Sequence, residues 1–173
     1  MDTLETIKNR HSVRTFQNID LPQEMVDKLL DAARWAPSAG NVQPWAFVVV
    51  SSQNVKHNLS LAAYHQKDLE EAPIVIVVCA DEKRAEERYG QKGKTLFCLQ
   101  DTAAATQNIL LAAHSFGLGT CWIGAFKEEE IKKIINAPKS MRPVVMIPVG
   151  YPKEVPQNRE RRPLSEIVHK NSF

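Results

Sequence analysis

A short basic segment near the start of the chain could bind an anion. It brings two guanidinium groups, an imidazole and a hydroxyl into five residues, at Arg10, His11, Ser12 and Arg14. An arginine donates hydrogen bonds in a planar fork that suits phosphate oxygens. The segment therefore predicts an anion site, and a solvated basic turn is the alternative.

A second segment, Ala36 to Trp45, is polar and rich in glycine and proline. The apolar spacing of Pro22 to Trp35 predicts a helix before it, and the strand-forming residues Ala46 to Val50 predict a strand after it. The segment is thus a short loop between a helix end and a strand start. Directional hydrogen bonds could come from Ser38, Asn41 and Gln43. A helix stop followed by an ordinary turn is the alternative.

A third candidate is the short strand from Gly119 to Phe126, which carries Gly124 near its end. Backbone N–H groups beside a glycine can approach a planar ligand closely. A dinucleotide fingerprint does not hold here, since the third glycine position after Gly117 and Gly119 is Trp122. The five histidines are scattered, and no P-loop, zinc-protease or serine-hydrolase motif occurs, so we predict no metal and no acid/base or nucleophile motif.

Composition limits the class of protein. A chain of 173 residues with 43% hydrophobic content is long enough for one domain. A net charge of +2, from 22 basic and 20 acidic residues, indicates no nucleic-acid or membrane partner. Three cysteines in apolar segments suit reduced thiols in the core. Because no apolar run reaches roughly 18 residues, we expect a soluble, cytoplasmic protein.

The remaining pattern predicts helices around buried strands. Asp2 to Lys8 indicates a helix capped by Asp2, with Leu4 and Ile7 facing the core. Strands are predicted at Ile74 to Ala80 and Val144 to Val149, and helices at Leu96 to Phe116 and Glu128 to Asn136.

Two further segments are harder to assign. The charged stretch Asp81 to Thr95 is either a solvated helix or a mobile flap. The proline-rich stretch Tyr151 to Asn158 is expected to run over the surface or across a partner subunit, and it leads to Arg159, Arg161 and Arg162.

Taken together, the motifs resemble the FMN-dependent nitroreductase family, in the expected order over nearly the whole chain. The motifs are Arg10-His-Ser-Val-Arg14-x-Phe16, Ala32-Ala-Arg-Trp-Ala-Pro-Ser-Ala-Gly-Asn-x-Gln-Pro-Trp45, Gln107-Asn108-x-Leu-Leu-Ala-Ala113, Gly117-Leu-Gly119 and Arg161-Arg-Pro-Leu164. The resemblance implies an α+β fold, a mixed sheet between helices, and an intertwined homodimer that binds FMN at its interface. It also implies electron transfer from NAD(P)H to nitro compounds, quinones or flavins by a ping-pong hydride mechanism.

The resemblance also implies roles for individual residues. Phosphate and ribityl contacts are implied for Arg10, His11, Ser12 and Arg14, with Arg14 reaching towards the N1/O2 edge of the flavin, and further phosphate contacts for Arg161 and Arg162. A loop laid along the flavin by the second subunit is implied for Pro37, Ser38, Ala39, Asn41 and Gln43. A segment whose backbone passes N5 is implied for Trp122, Ile123, Gly124 and Ala125. Gln66 is a candidate near the pyrimidine ring.

An FMN phosphate needs charge-assisted donors, which the two arginine groups could provide once the fold joins them. The expected organisation is one domain over residues 1–173, with residues 151–173 as an arm that reaches the partner. Three alternatives stay open: an FMN-storing module without turnover, a reductive dehalogenase, and a flavin-fragmenting enzyme on the same scaffold.

Overall fold

A four-stranded sheet forms the centre of the computed structural model, which describes residues 2–154, 156–157 and 159–173. Its strands are β1 (Trp45–Val50), β2 (Ile74–Asp81), β3 (Gly119–Thr120) and β4 (Met141–Gly150), in the order β1-β2-β4-β3. All three neighbouring pairs are antiparallel. A parallel component, as implied for a mixed sheet, comes from a single bridge between Ser12 and Thr120. The predicted α+β class is confirmed.

Strand β2 is buried on both faces, as its continuous apolar sequence predicts. Ile74, Ile76 and Val78 contact one layer of the core, whereas Val75 and Val77 contact the other. Because side chains alternate along a strand, a strand covered on both sides must be apolar at every position. The sheet is therefore a middle layer between two layers of helices.

One helical layer consists of α2 (Gln23–Arg34) and α6 (Cys98–Ser115). Its core contacts include Leu29 and Ile109, both with no exposed surface. Helix α6 follows a π-helical turn, Gly93–Phe97, and ends before Gly117. Gly117 has a φ of 76°, a left-handed conformation that glycine adopts without strain and that commonly ends a helix.

The other layer consists of α3 (Gln53–Ala62), α4 (Asp68–Glu71) and α7 (Glu128–Ile134). Their core residues include Leu59, Leu69 and Ile131. The cysteines fulfil the prediction of buried, unpaired thiols, at Cys79, Cys98 and Cys121. Over the described residues, no helix combines the length and the apolar character needed to cross a membrane.

The charged stretch after β2 is a helix, α5 (Glu82–Lys92), which decides between the two alternatives given by the sequence. Ala85 is its buried residue. Gly90 interrupts the helix with a φ of 58°, and Gly93 lies so close to the Ala85 carbonyl that a Cβ there would be 2.2 Å from the oxygen. These two glycines allow the chain to fold back onto the start of α6.

The first helix, α1 (Thr3–Asn9), differs from the prediction. Leu4 and Ile7 are 62% and 48% exposed, and the buried residue is Thr6. The Asp2 side chain makes no capping hydrogen bond. The helix lies at the edge of the fold, so its apolar face has no layer to pack against within one chain.

The C-terminal segment begins as part of the fold and then leaves it. The Gln17 backbone N–H donates to the Tyr151 carbonyl (2.8 Å), and the Lys153 backbone N–H donates to the Thr15 carbonyl (3.0 Å). A single 3-10 turn, Leu164–Glu166, lies in the largely exposed remainder. Val155 and Asn158, which belong to the predicted proline-rich arm, lie outside the described residues.

Candidate functional site

A small cavity brings the two groups of basic residues together. It has a volume of about 140 Å³ and is lined by Arg10, His11, Ser12, Arg14, Pro156, Gln157, Arg159 and Arg161. The lining thus contains four guanidinium groups from two ends of the chain, together with an imidazole and a hydroxyl. The fold joins the basic groups as predicted for a phosphate site.

The segment from Arg10 to Arg14 is held in place by the edge of the sheet. The Val13 N–H donates to the Thr120 carbonyl at 2.8 Å, and Ser12 forms the parallel bridge with the same residue. A Cβ at Gly119 would lie 2.8 Å from the Val13 side chain, which is closer than carbon atoms pack. Glycine at 119 therefore lets the basic segment lie against β3.

The charge balance of this cavity favours an anion. None of the described residues that line it is acidic. The carboxylate of Asp68, which is 6% exposed, lies in the electrostatic surroundings of Arg14. Burial raises the pKa of Asp68, and the Arg14 charge opposes that rise. Asp68 Oδ2 has no hydrogen-bond partner among the described residues, so this buried acid compensates the guanidinium groups only in part.

The sequence predicts a strand from Gly119 to Phe126, but β3 ends at Thr120, and the segment after it rejoins the sheet through the bridge between Ile123 and Met146. The first residue of this segment, Cys121, lies in the electrostatic surroundings of Arg10 and Arg14. The backbone of Ile123 pairs with Met146, and its side chain is buried in the core. Gly124 and Ala125 are exposed, and their N–H groups have no acceptor within the described part of the chain. The N–H and the carbonyl of Ile123 are therefore both occupied by Met146, whereas the Gly124 and Ala125 N–H groups can donate to a ligand.

Gln66 supports the same segment. Its Nε2 donates to the Ala125 carbonyl at 3.1 Å and to the Ala63 carbonyl at 3.0 Å. Two residues later in the chain, Asp68 lies in the electrostatic surroundings of Arg14. Gln66 thus links Ala125 to the segment that carries Asp68, and Trp122, three residues before Ala125, is 40% exposed.

The predicted loop residues form a turn elsewhere in the chain. Ser38 and Ala39 are half-buried, whereas Pro37, Asn41 and Gln43 are exposed. The Gln43 N–H donates to Ser38 Oγ at 3.0 Å, and Gln43 Nε2 lies 3.2 Å from Asn41 Oδ1. Two side-chain amides are therefore presented together to solvent.

The strand register separates this turn from the basic cavity. Trp45, which follows the turn, pairs with Ala80 at one end of β2, whereas Val50 pairs with Val75 at the other. The basic segment joins the sheet near that second end, through Thr120, which pairs with Val149. At about 3.3 Å per residue, the two groups are on the order of 20 Å apart along the sheet. No turn residue lines the basic cavity as described.

Arg162 also lies away from the cavity. Its Nε donates to Glu166 Oε2 at 3.1 Å, an ion pair one helical turn further along the arm. Arg159, which the motif comparison had not assigned, takes a place in the lining instead. Alternation of side chains along an extended arm places Arg159 and Arg161 on the same side, and this spacing was visible in the sequence.

The sequence reasoning missed two further residues with buried polar atoms near these groups. Asp101 of α6 is 8% exposed and accepts a hydrogen bond from the Ala39 N–H at 3.1 Å. His114, near the end of α6, has a buried Nε2 with no described hydrogen-bond partner. A carboxylate at a core-facing position of a helix is a signal that the sequence offered, because such residues are rarely buried without a reason.

Known proteins match this chain over most of its length. The sequence profile of the Nitroreductase family matches residues 7–68 and 55–151. A Methanothermobacter thermautotrophicus protein, provisionally named NADH dehydrogenase/NAD(P)H nitroreductase, is 39% identical over 164 residues, which cover 92% of this chain and 82% of the relative.

Two other relatives extend the comparison. The FMN reductase (NADPH) of Bacillus subtilis is 30% identical over 185 residues, covering 99% of this chain and 74% of the relative. The solved structure of the NADPH:FMN oxidoreductase from Vibrio harveyi, complexed with NAD+, matches with a TM-score of 0.91 and 26% identity. That match covers 99% of this chain and 77% of the other.

Proposed function

The chain belongs to the nitroreductase family, and we propose that it is an FMN-dependent oxidoreductase that transfers electrons from NAD(P)H to nitro compounds, quinones or flavins. The observation that carries the proposal is the basic cavity, whose described lining contains four arginines and no acidic residue. When bound, FMN supplies the redox chemistry, by accepting a hydride from NAD(P)H and returning the electrons to an acceptor.

The residues of the basic cavity fit a phosphate group. A phosphate monoester carries close to two negative charges and offers several acceptor oxygens. Arg10 and Arg161 would donate to these oxygens from opposite ends of the chain, with His11 and Ser12 between them. Charge-assisted hydrogen bonds of this kind are about twice as strong as neutral ones. This donor set favours FMN over riboflavin.

The neighbouring segment suits the ring of the flavin. The Gly124 and Ala125 N–H groups could donate to the ring, and the hydrogen bond from Gln66 Nε2 to the Ala125 carbonyl holds the peptide that follows them. Arg14 would place a positive charge near the pyrimidine edge, where it stabilises negative charge on a reduced ring. We assign Trp122 to the same surface, whereas Ile123 supports that segment, because its N–H and its carbonyl both pair with Met146.

The site is completed by a second copy of the chain. The turn from Pro37 to Gln43 lies at the other end of the sheet, so a copy related by a two-fold axis would supply it. Exposed apolar side chains support such a homodimer: Leu4 and Ile7 on α1, and Leu164, Ile167 and Val168 on the arm. The part of the arm after Lys153, which carries Arg162, would then reach the partner, because Tyr151 and Lys153 are hydrogen-bonded to their own chain.

Purified protein provides the first test, through its absorbance spectrum and its cofactor affinity. We expect the absorbance spectrum of a bound flavin, and we expect denaturation to release that flavin as FMN. The protein should also bind FMN more tightly than riboflavin. A colourless protein that cannot be reconstituted with FMN would refute the assignment. We also propose a reducing, cytoplasmic location, because Cys79, Cys98 and Cys121 are buried and unpaired.

Turnover separates an enzyme from an FMN-storing module. Oxidation of NAD(P)H should continue with excess nitro compound, quinone or flavin, whereas a storage protein would be reduced at most once. If donor and acceptor occupy the same open face in turn, double-reciprocal plots at several acceptor concentrations should be parallel. Intersecting lines would require a ternary complex and would exclude the ping-pong mechanism. Assays with halogenated acceptors test for reductive dehalogenation. Prolonged incubation of the flavin tests for flavin fragmentation.

A further inference from the structure

The turn between Ser38 and Gln43 has a backbone that it cannot maintain by itself. Gly40, Asn41 and Gln43 all have left-handed φ values, of 54°, 57° and 54°. Residues with a Cβ seldom adopt this conformation, so two of the three positions are strained. The turn's own hydrogen bonds, such as Asn41 N–H to the Ser38 carbonyl, do not remove that strain. Support from outside the turn is needed.

Asp101 gives this support from the first turn of α6. Its Oδ1 accepts the hydrogen bond from the Ala39 N–H at 3.1 Å, and the residue is 8% exposed. It takes part in no ion pair among the described residues. A buried carboxylate without a cation is costly, and its described hydrogen-bond partner is the backbone of the turn.

Helix α5 holds the other side of the same turn. Arg84 Nε donates to the Val42 carbonyl, and Tyr89 packs on Gly40 so closely that a Cβ there would be 2.2 Å from the phenol oxygen. Arg84 is exposed, so its side chain is not part of the core. Helix α6 thus holds the turn at Ala39, and helix α5 holds it at Gly40 and Val42.

We propose that Asp101 and Arg84 are positioning residues, which hold the turn so that the amides of Asn41 and Gln43 can contact the flavin ring. The inference rests on the proposed function, in which this turn reaches a flavin bound by the second copy. Neither residue touches the flavin itself. Their effect therefore concerns the ring and not the phosphate, and it should be the same for FMN and riboflavin.

Flavin titrations of the full-length protein test this inference. The variants are Asp101→Ala, Asp101→Asn, Arg84→Ala and, as a control for removal of a nearby exposed carboxylate, Asp31→Asn. We expect Asp101→Ala to weaken FMN and riboflavin equally, by about tenfold, the scale of one charge-assisted hydrogen bond. Asp101→Asn keeps an acceptor for the Ala39 N–H and should restore the affinity. Arg84→Ala should weaken both flavins by a smaller factor, and Asp31→Asn neither.

The ring environment gives a second measurement. The flavin absorption bands of the bound cofactor should shift in Asp101→Ala and return to the wild-type position in Asp101→Asn. A residue that only stabilised the fold would lower the unfolding temperature without changing these bands or the affinity of the folded protein. If Asp101→Ala does not fold, Arg84→Ala tests the inference instead, because Arg84 is exposed and its replacement leaves the core intact.

The outcomes separate this inference from the proposed function. Wild-type protein that binds flavin, with Asp101→Ala and Arg84→Ala binding equally well, overturns the inference and leaves the function standing. A loss restricted to FMN also overturns it, because that result would place the effect at the phosphate. Wild-type protein that binds no flavin overturns both.

Discussion

Four arginine side chains around one small cavity repel one another unless an anion lies between them. Arg10, Arg14, Arg159 and Arg161 adopt this arrangement, and the described lining contributes no carboxylate to relieve it. Repulsion of this kind is retained when it serves a ligand. Single substitutions can measure how much of it an FMN phosphate uses.

Replacement of Arg10 or Arg161 by alanine should weaken FMN binding by about 1.5 to 3 kcal/mol, the value of a hydrogen bond to a charged group. Riboflavin binding should change much less, because riboflavin has no phosphate. The matched control is Arg162→Ala, since Arg162 pairs with Glu166 outside the cavity. Titration of each variant with both flavins makes the comparison. Equal losses for the two flavins would show that the cavity does not bind the phosphate.

The side chain of His114, which has Arg10 and His11 of the same cavity as charged neighbours, should make the stability of the protein depend on pH. Burial lowers the pKa of His114 below 6.5, and the neighbouring His11 and Arg10 lower it further. The unfolded chain therefore takes up the proton more readily than the folded chain, so stability is lost as the pH falls through about 6.5. At pH 8 the group is neutral in both states and contributes no pH dependence.

Thermal unfolding of the flavin-free protein between pH 8 and 5.5 measures this contribution. Compared with His114→Gln, which cannot take up the proton, the wild-type protein should lose more stability over this range. His169→Gln, an exposed histidine of the arm, serves as the control and should follow the wild-type curve. Parallel curves for wild type and His114→Gln would contradict the assignment of the buried neutral imidazole.

At the level of whole elements, the sequence correctly predicted the strands and helices that pack in the core. Strands β2 and β4 have unbroken apolar runs, because each is covered on both faces. Helix α6 has a long apolar stripe and ends at Gly117, whose left-handed φ ends the helix. Such signals are local, and the structure agrees with them within a few residues.

The elements that the sequence predicted poorly depend on contacts between distant segments. Helix α5 buries Ala85 as its one core residue, so it has almost no apolar stripe to detect. The exposure of Leu4 on α1 follows from the position of that helix at the edge, which no local pattern encodes. Likewise, the role of Asp101 depends on the hydrogen bond that it accepts from the Ala39 N–H, and Ala39 is 62 residues away in the sequence.

Strand β3 connects the sheet to the basic segment, and Gly119 tests that connection. A Cβ at Gly119 would overlap Val13, so Gly119→Ala should displace the segment from Arg10 to Arg14. We expect a destabilisation of about 1 to 3 kcal/mol, typical of an overpacked site, together with weaker FMN binding.

A double-mutant cycle identifies the cause. The combination Val13→Ala with Gly119→Ala removes the two γ-methyl groups that the new Cβ would meet at 2.8 and 2.9 Å but keeps Val13 Cβ at 2.8 Å, so it should recover only part of the FMN affinity lost in Gly119→Ala. Denaturant unfolding and FMN titration of the four proteins give the coupling between the two sites. Strictly additive effects would show that Gly119 acts through something other than contact with Val13.

Large apolar side chains are exposed at several places in the molecule, and α1 and the arm are two of them. Leu164, Ile167 and Val168 are 72%, 50% and 55% exposed, although they lie within five residues of one another. Contiguous exposed apolar residues usually mark an interface. Because Tyr151 and Lys153 are hydrogen-bonded to their own chain, the part of the arm available to a partner starts after them.

The proposed dimer can therefore be weakened without removing any basic residue. Replacement of Leu164, Ile167 and Val168 by serine leaves Arg159 and Arg161 in the chain but removes the apolar contacts that would hold the arm on the partner. Since each monomer would hold half a site, we expect the dimer to dissociate at higher concentration than the wild type, and FMN to be released on dilution. Excess protein should restore the flavin content, as mass action requires.

Sedimentation read at both protein and flavin wavelengths measures assembly and cofactor together. Leu61→Ser is the matched control, because Leu61 is an apolar residue of α3 with 42% exposure and lies outside the arm. That variant should sediment like the wild type. A triple-serine variant that stays dimeric and flavin-loaded at every dilution would show that the arm does not hold the partner. A variant that becomes monomeric yet keeps its FMN would show that one chain forms the whole site, and the turn from Pro37 to Gln43 would then have no role in binding the cofactor.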